Sequence, residues 1–308
     1  MKETRTIRIQ LNTTPDQAAL LLQTMHEYTA CFNQVCEYAD THHVFNGVEL
    51  HKATYLSHRL CSRLPSQLIC AARVKATEAM KSVLTRRKKQ QVKYQQKLKG
   101  AAKKGFPPEP LVLAKTPHSL LCAIRYDARS FLFKREERTV SLVHVQQEGK
   151  VRNRTIMGVR VPAYYEQYLT PQWEQESADL LHRNGAFWLH LVVSAHIVAV
   201  EPTGETIGVD LGISRLAVTS QPRFFGSKQV KETNNRYFRL RRDLQSKGTK
   251  SAKRHLKKLS GRIARFQKNA NHVVAKHLVS SVNAGDTLVM ENLTDIRERT
   301  VQRRDKRQ

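Results

Sequence analysis

The sequence is short of acids, of paired cysteines and of long apolar runs, and each shortage excludes something. Only 26 Asp and Glu stand against 53 Lys and Arg, a net charge of +27. A soluble enzyme for small metabolites gains nothing from such self-repulsion, whereas a polyanionic partner, nucleic acid by default, accounts for it. The five cysteines, at 31, 36, 61, 70 and 122, are odd in number and form no Cys-x-x-Cys pair. They read as reduced structural thiols of a cytoplasmic protein, and with 13 scattered histidines they offer no zinc site. No apolar run approaches the roughly 18 residues of a membrane span, and the opening Met-Lys-Glu-Thr-Arg-Thr lacks the apolar core of a signal peptide. Global disorder is excluded by the 40% of apolar residues, and 308 residues leave room for two or three domains.

The chain opens on Ile7, Ile9 and Leu11, which alternate with polar residues as in a half-buried strand. Thr14-Pro15-Asp16-Gln17 then supplies an N-cap, a first-turn proline and a capping-box glutamine. Ala18, Leu21, Leu22, Met25, Tyr28, Phe32, Val35, Cys36 and Ala39 follow at helical spacing. His42 and His43 belong to a surface turn, and the helical pattern resumes from Lys52, breaks at Pro65 and continues to Val83. Between Arg73 and Lys104, twelve Lys/Arg face a single acid, Glu78. A merely solvated face would mix signs, so this run is expected to contact phosphates through Arg73, Lys75, Lys81, Arg86, Arg87, Lys88, Lys89 and Lys93. Gly100 to Pro110 reads as a linker. From about Ala114 to Ala199 short β-runs alternate with polar turns, which suggests a small barrel or sandwich. One isolated strand cannot satisfy its own ladder, so the strand at Ile7 is expected to join that domain. Residues 14–110 then become a helical insertion between its two parts.

Glu201-Pro-Thr-Gly204 reads as a hinge into the stretch around which the rest is organised, Thr206 to Thr219. There Asp210 interrupts the aliphatics Val209, Leu211 and Ile213 of an expected buried strand, and a turn at Gly212 leads into Leu216-Ala-Val-Thr219. A buried ionised carboxylate is costly unless a cation compensates it. Arg223-Phe-Phe225 adds a third strand, and a long basic helical stretch follows, broken near Gly248, with Leu256, Leu259, Ile263, Phe266, Val273, Val274 and Leu278 as its spine. From Lys228 to Lys268 it carries fifteen Lys/Arg and two acids, with Arg239, Arg241, Arg242, Lys253, Arg254, Lys257 and Lys258 as further phosphate ligands. Asp286-Thr-Leu-Val-Met290 then forms an apolar strand that ends on Glu291. Two acids at the ends of adjacent strands suit bridging of divalent cations in phosphodiester hydrolysis, and Mg²⁺ takes few carboxylates while keeping waters. The plainer readings are a turn-closing Asp210 and a Glu291 that caps the next turn.

Ile207-Gly-Val-Asp-Leu-Gly-Ile213 with Leu216-Ala-Val218 resembles the first RuvC motif of the TnpB (OrfB) proteins of bacterial insertion sequences, and Val289-Met-Glu-Asn-Leu293 resembles the second. The resemblance covers nearly the whole chain and is most specific over 200–296. It implies an α+β multidomain protein: a small wedge-type β-barrel over 1–13 and 111–200, an inserted helical recognition bundle over 14–110, and an RNase H-like (RuvC) α/β domain over 201–308 without its C-terminal part. It also implies an RNA-guided DNA endonuclease related to type V CRISPR effectors and distinct from the strand-transfer enzyme. Asp210 and Glu291 would be its catalytic, metal-binding carboxylates for Mg²⁺ or Mn²⁺. A guide RNA encoded near the gene and a double-stranded DNA target would be its partners, in the nucleoid-associated cytoplasm of a prokaryote and away from membranes. Family members carry a Cys-x-x-Cys zinc ribbon and a third catalytic aspartate after the second motif. This sequence has neither, Asp295 and Asp305 being poor substitutes, so little cleavage is expected even where binding survives. The alternative is a non-catalytic RNA-guided DNA-binding protein or an inactive remnant. The first motif also resembles the first phosphate loop of actin-like and chaperone ATPases, but the glycine pairs of their later loops are not found here.

Overall fold

Alternation at Ile7, Ile9 and Leu11 makes the first strand, β1 (Lys2–Asn12), and all three side chains are buried. The computed structural model describes residues 1–102, 110–149, 153–198, 201–202, 204–212, 215–226 and 228–293. Two compact units divide the chain, Met1–Val198 and Ala199–Gln308. In the first, β1 joins β2 (Ile124–Asp127), β3 (Phe131–Lys134), β4 (Thr139–Val143), β5 (Arg154–Arg160), β6 (Glu174–Arg183) and β7 (Ala186–His196). Their order is β2-β6-β7-β1-β5-β4-β3, and every pairing is antiparallel. The expected barrel is instead a curled half-barrel: β2 and β3 stand at opposite edges and do not pair with each other. The cause of the curl is chain length. Only residues 128–130 connect the two edge strands, and so short a segment spans little more than about 10 Å. The Tyr126 hydroxyl reaches across this seam and donates to the Val143 carbonyl at 3.0 Å.

Between β1 and β2 the chain forms α1 (Pro15–Thr41), α2 (Gly47–Cys61) and α3 (Ser66–Ala102). The capping box at α1 is present: Thr14 accepts from the Gln17 backbone, and the Gln17 side chain accepts from the Thr14 backbone. Asn46 caps α2 by accepting from Val48 N, so this helix starts five residues before the expected Lys52. Pro65 stands between α2 and α3, as its missing N–H requires. Most of the linker expected at 100–110 lies outside the described residues. Leu21, Met25, Tyr28, Leu68, Ala72 and Met80 of the helices join one core with Ile7, Ile9, Leu189, Leu191 and Val193 of the sheet.

Arg87 ties this layer together. Its guanidinium holds Asp40 of α1 bidentately at 2.6 and 2.9 Å while Nε donates to the Ala114 carbonyl at 2.8 Å. This arginine keeps the Asp40 carboxyl at a pKa of about 2, below its ordinary 3.8. A carboxylate with a depressed folded pKa contributes stability that is fully present above pH 3.8 and is lost as pH falls toward 2. Arg87→Ala is therefore expected to destabilise the first unit by about 1–3 kcal/mol near neutrality. Urea unfolding as a function of pH checks it, because the difference from wild type must shrink below pH 3.8.

The second unit holds β8 (Thr206–Asp210), β9 (Ala217–Thr219), β10 (Phe224–Phe225) and β11 (Thr287–Met290), in the order β10-β9-β8-β11. β8 and β9 form the expected hairpin, β10 pairs with β9, and β11 lies parallel to β8. Parallel neighbours require a crossover, and α4 (Lys228–Lys247) with α5 (Lys250–Ser280) provides it. Gly248 takes a positive φ of 60° between them, and Thr249 caps α5 by accepting from Ala252 N. Leu244, Ala252 and Leu259 close the helical hairpin, while Leu278 and Val274 of α5 pack on Val209, Ala217 and Phe225 of the sheet.

Candidate two-carboxylate site and basic surfaces

The parallel register brings the carboxyl ends of the two motif strands together. Thr287 pairs with Thr206 and Met290 with Val209, the last pair of the ladder; Asp210 and Glu291 each follow that pair by one residue. Adjacent strands lie about 4.8 Å apart, so the two acids leave neighbouring strands at one end of the sheet. Asp286 fixes this register. Its Oδ1 accepts from Glu205 N at 3.0 Å and its Oδ2 from Asn283 N at 2.7 Å, while Thr287 N donates to the Glu205 carbonyl at 2.9 Å. A slip of one residue would put Glu291 on the opposite face of the sheet. Reading the sequence alone missed Asp286, although Gly285, at a positive φ of 95°, marks the turn that it closes.

The setting of the acids corrects one expectation. Asp210 does not sit inside a buried strand: it is the last residue of β8 and is exposed, with Leu211 49% exposed beyond it. Ile207 and Val209 are the buried members of that strand. Likewise β11 is only half-buried, with Val289 and Met290 about half exposed. The carboxyl ends of strands in an open α/β sheet are where ligands gather, and exposed acids there are open to water and to a phosphate. Two exposed oxygen donors at one end of the sheet would suit Mg²⁺, which binds through one or two carboxylates and retains several waters. Among the described residues, no three His, Cys, Asp or Glu side chains group as a metal cluster. Asp295 and Asp305 lie outside the described residues.

The basic residues divide into two kinds. Lys81, Arg86, Lys88, Lys89 and Lys93 on α3 are exposed, as are Arg239, Arg241, Arg242, Lys253, Arg254, Lys257 and Lys258 on α4 and α5. Of the residues expected to contact phosphate, two hold partners inside the protein and a third is half-buried. Lys75 is half-buried, donates to the Ala123 carbonyl at 2.5 Å, and has its pKa lowered by burial. Arg87 holds Asp40. Arg73 is half-buried with its guanidinium close to Gly47 at the start of α2. One-sign charge on a helix does not tell a solvated face from residues recruited to satisfy buried carbonyls.

Comparison with known proteins meets this geometry at the same residues. Residues 190–297 match the family model OrfB_IS605, described as a probable transposase. That segment is similar to the OrfB family. Both acids, the sheet beside them and the basic helical hairpin all lie inside the matched OrfB segment. No curated protein matches the chain. Among solved structures, it is similar to a chain of the cryo-EM structure of the Cas12f1–sgRNA–target DNA complex, at a TM-score of 0.56 and 11% identity. That match covers 93% of this chain and 67% of the other, so the likeness of fold extends well beyond the OrfB segment into the half-barrel and its helices. Among the described residues, no helix is long and apolar enough to cross a membrane.

Proposed function

We propose that this OrfB-type chain is a TnpB-like, RNA-guided DNA-binding protein whose second unit is an RNase H-like (RuvC) domain. The observation that carries the proposal is the parallel pairing of β8 with β11 inside the matched segment, which brings the strand ends that carry Asp210 and Glu291 to one edge of the sheet. The half-barrel and its helices would hold the guide, since the protein they resemble is solved on a guide RNA and its target DNA. Exposed cations on α3, α4 and α5 would supply the phosphate contacts.

Asp210 and Glu291 would hold Mg²⁺ or Mn²⁺, which supplies activation of water and stabilisation of the leaving oxygen of a phosphodiester. The chain's own part is to bring two carboxylates to one end of the sheet, through the Asp286 register and the α5 packing behind it. A second reading is DNA binding without cutting, on the exposed cations of α3, α4 and α5 alone. The test of the function is to purify the chain from its native host and sequence the RNA that survives a moderate-salt wash. A single defined species encoded near the gene is the expected result. A heterogeneous smear would overturn guided recognition and leave an indiscriminate polyanion binder.

A further inference from the structure

The rung of Asp210 continues across the sheet. Asp210 pairs with Val218, and Val218 pairs with Phe224, so Phe224, Val218 and Asp210 form one line over β10, β9 and β8. Partners on a rung share a face, so the Phe224 ring lies on the acid side of the sheet, opposite Phe225, which packs with Leu278 of α5. Phe224 is 55% exposed, and the Arg215 guanidinium lies over its ring at 4.0 Å from the centroid. Two strand spacings separate Phe224 from Asp210, roughly 10 Å.

We infer that Phe224 and Arg215 form a base-stacking platform for a single-stranded nucleic acid that passes the Asp210 end of the sheet. The inference rests on the nucleic-acid reading of that site and adds the element that orients the strand there. Three observations select a nucleobase over other occupants. Phe224 is 55% exposed, and an aromatic ring stacks on any base whatever its sequence. Arg215 lies over that ring, where its planar cation reinforces stacking and suits a strand's phosphates. The second unit also presents Arg239, Arg241 and Arg242 exposed on α4, so its charge suits a polyanion and opposes a second copy of this basic chain.

The test is binding of single-stranded DNA oligonucleotides to the full chain, in a chelator so that no cutting intervenes. Each oligonucleotide carries 2-aminopurine at one position of a series. Wild type is expected to quench the fluorescence strongly at one position. Phe224→Ala should lose that quench and weaken binding on the order of tenfold, whereas Phe224→Trp should keep both. Phe224 is exposed, so its truncation leaves the core intact, and the Trp variant guards against a folding artefact. Equal binding and equal quenching in Phe224→Ala would overturn the platform while leaving the parent reading in place. If wild type retains no nucleic acid, the parent reading itself fails. Concentration-dependent self-association that Phe224→Ala abolishes would assign the ring to a contact between copies and also overturn the proposal.

Discussion

Raising the salt from 50 to 200 mM should weaken the chain's binding to RNA or duplex DNA by about 10³-fold or more. The expectation follows from where the charge sits. Lys and Arg residues exposed on α3, and again on α4 and α5, have few acids beside them: Glu78 pairs with Arg125, Asp243 with Arg242, and Glu232 lies 3.9 Å from Lys228. Each phosphate neutralised releases condensed counterions, and about 6–10 contacts give a loss of that size. Filter binding across a salt series measures the slope, and a flat dependence would refute the basic-surface argument. Lys88→Gln with Lys89→Gln should reduce the slope by about one per lost contact while leaving the thermal midpoint unchanged, because both are exposed. Lys75→Gln should do the reverse: its ammonium serves the Ala123 carbonyl, so stability falls and the salt slope stays.

That contrast also marks how far the sequence could be read. Long, strongly periodic elements were legible: α1 with its capping box, the break at Pro65, the α4–α5 hairpin at Gly248, and β8 with its partner β9. The parallel neighbours β8 and β11 were legible as the two motif strands, each with its acid at or just past its end. The sequence did not reveal β6, whose Glu-Gln-Glu-Ser start is polar and whose place in the sheet comes from pairing with β7 and β2. It did not reveal β2, whose short Ile-Arg-Tyr-Asp run becomes a strand only at the edge of that sheet. Whether the sheet closes was hidden too, since curl depends on which edges the residues 128–130 must bridge. Lys75, Arg73 and Arg87 look like their exposed neighbours in sequence, and only the packing of α3 on α1 and β2 sets them apart. The flanking aliphatics make Asp210 read as buried. The strand in fact ends on it, and that end is the useful place for a ligand-binding acid.

Asp210→Ala should abolish any Mg²⁺-dependent cutting and reduce Mn²⁺ binding at the site, yet leave RNA affinity unchanged or slightly raised. The sign of the last effect is electrostatic: removing a carboxylate from a surface that binds phosphates removes a repulsion. Stability should change little, since Asp210 is exposed and ends its strand, whereas Val209 beside it is buried against α5. Glu291→Ala should behave alike, because both acids stand at one end of the sheet. Asp286→Ala is the informative contrast. It touches no ligand, but it accepts the Glu205 and Asn283 amides that set β11 against β8. Its loss should lower both the melting temperature of the second unit and Mn²⁺ affinity, a coupling that a direct ligand would not show. Calorimetric Mn²⁺ titration of the three variants, beside RNA binding and thermal melting, separates the roles. If Asp210→Ala loses RNA binding and melts early, Asp210 is a structural residue and the two-carboxylate site falls with it.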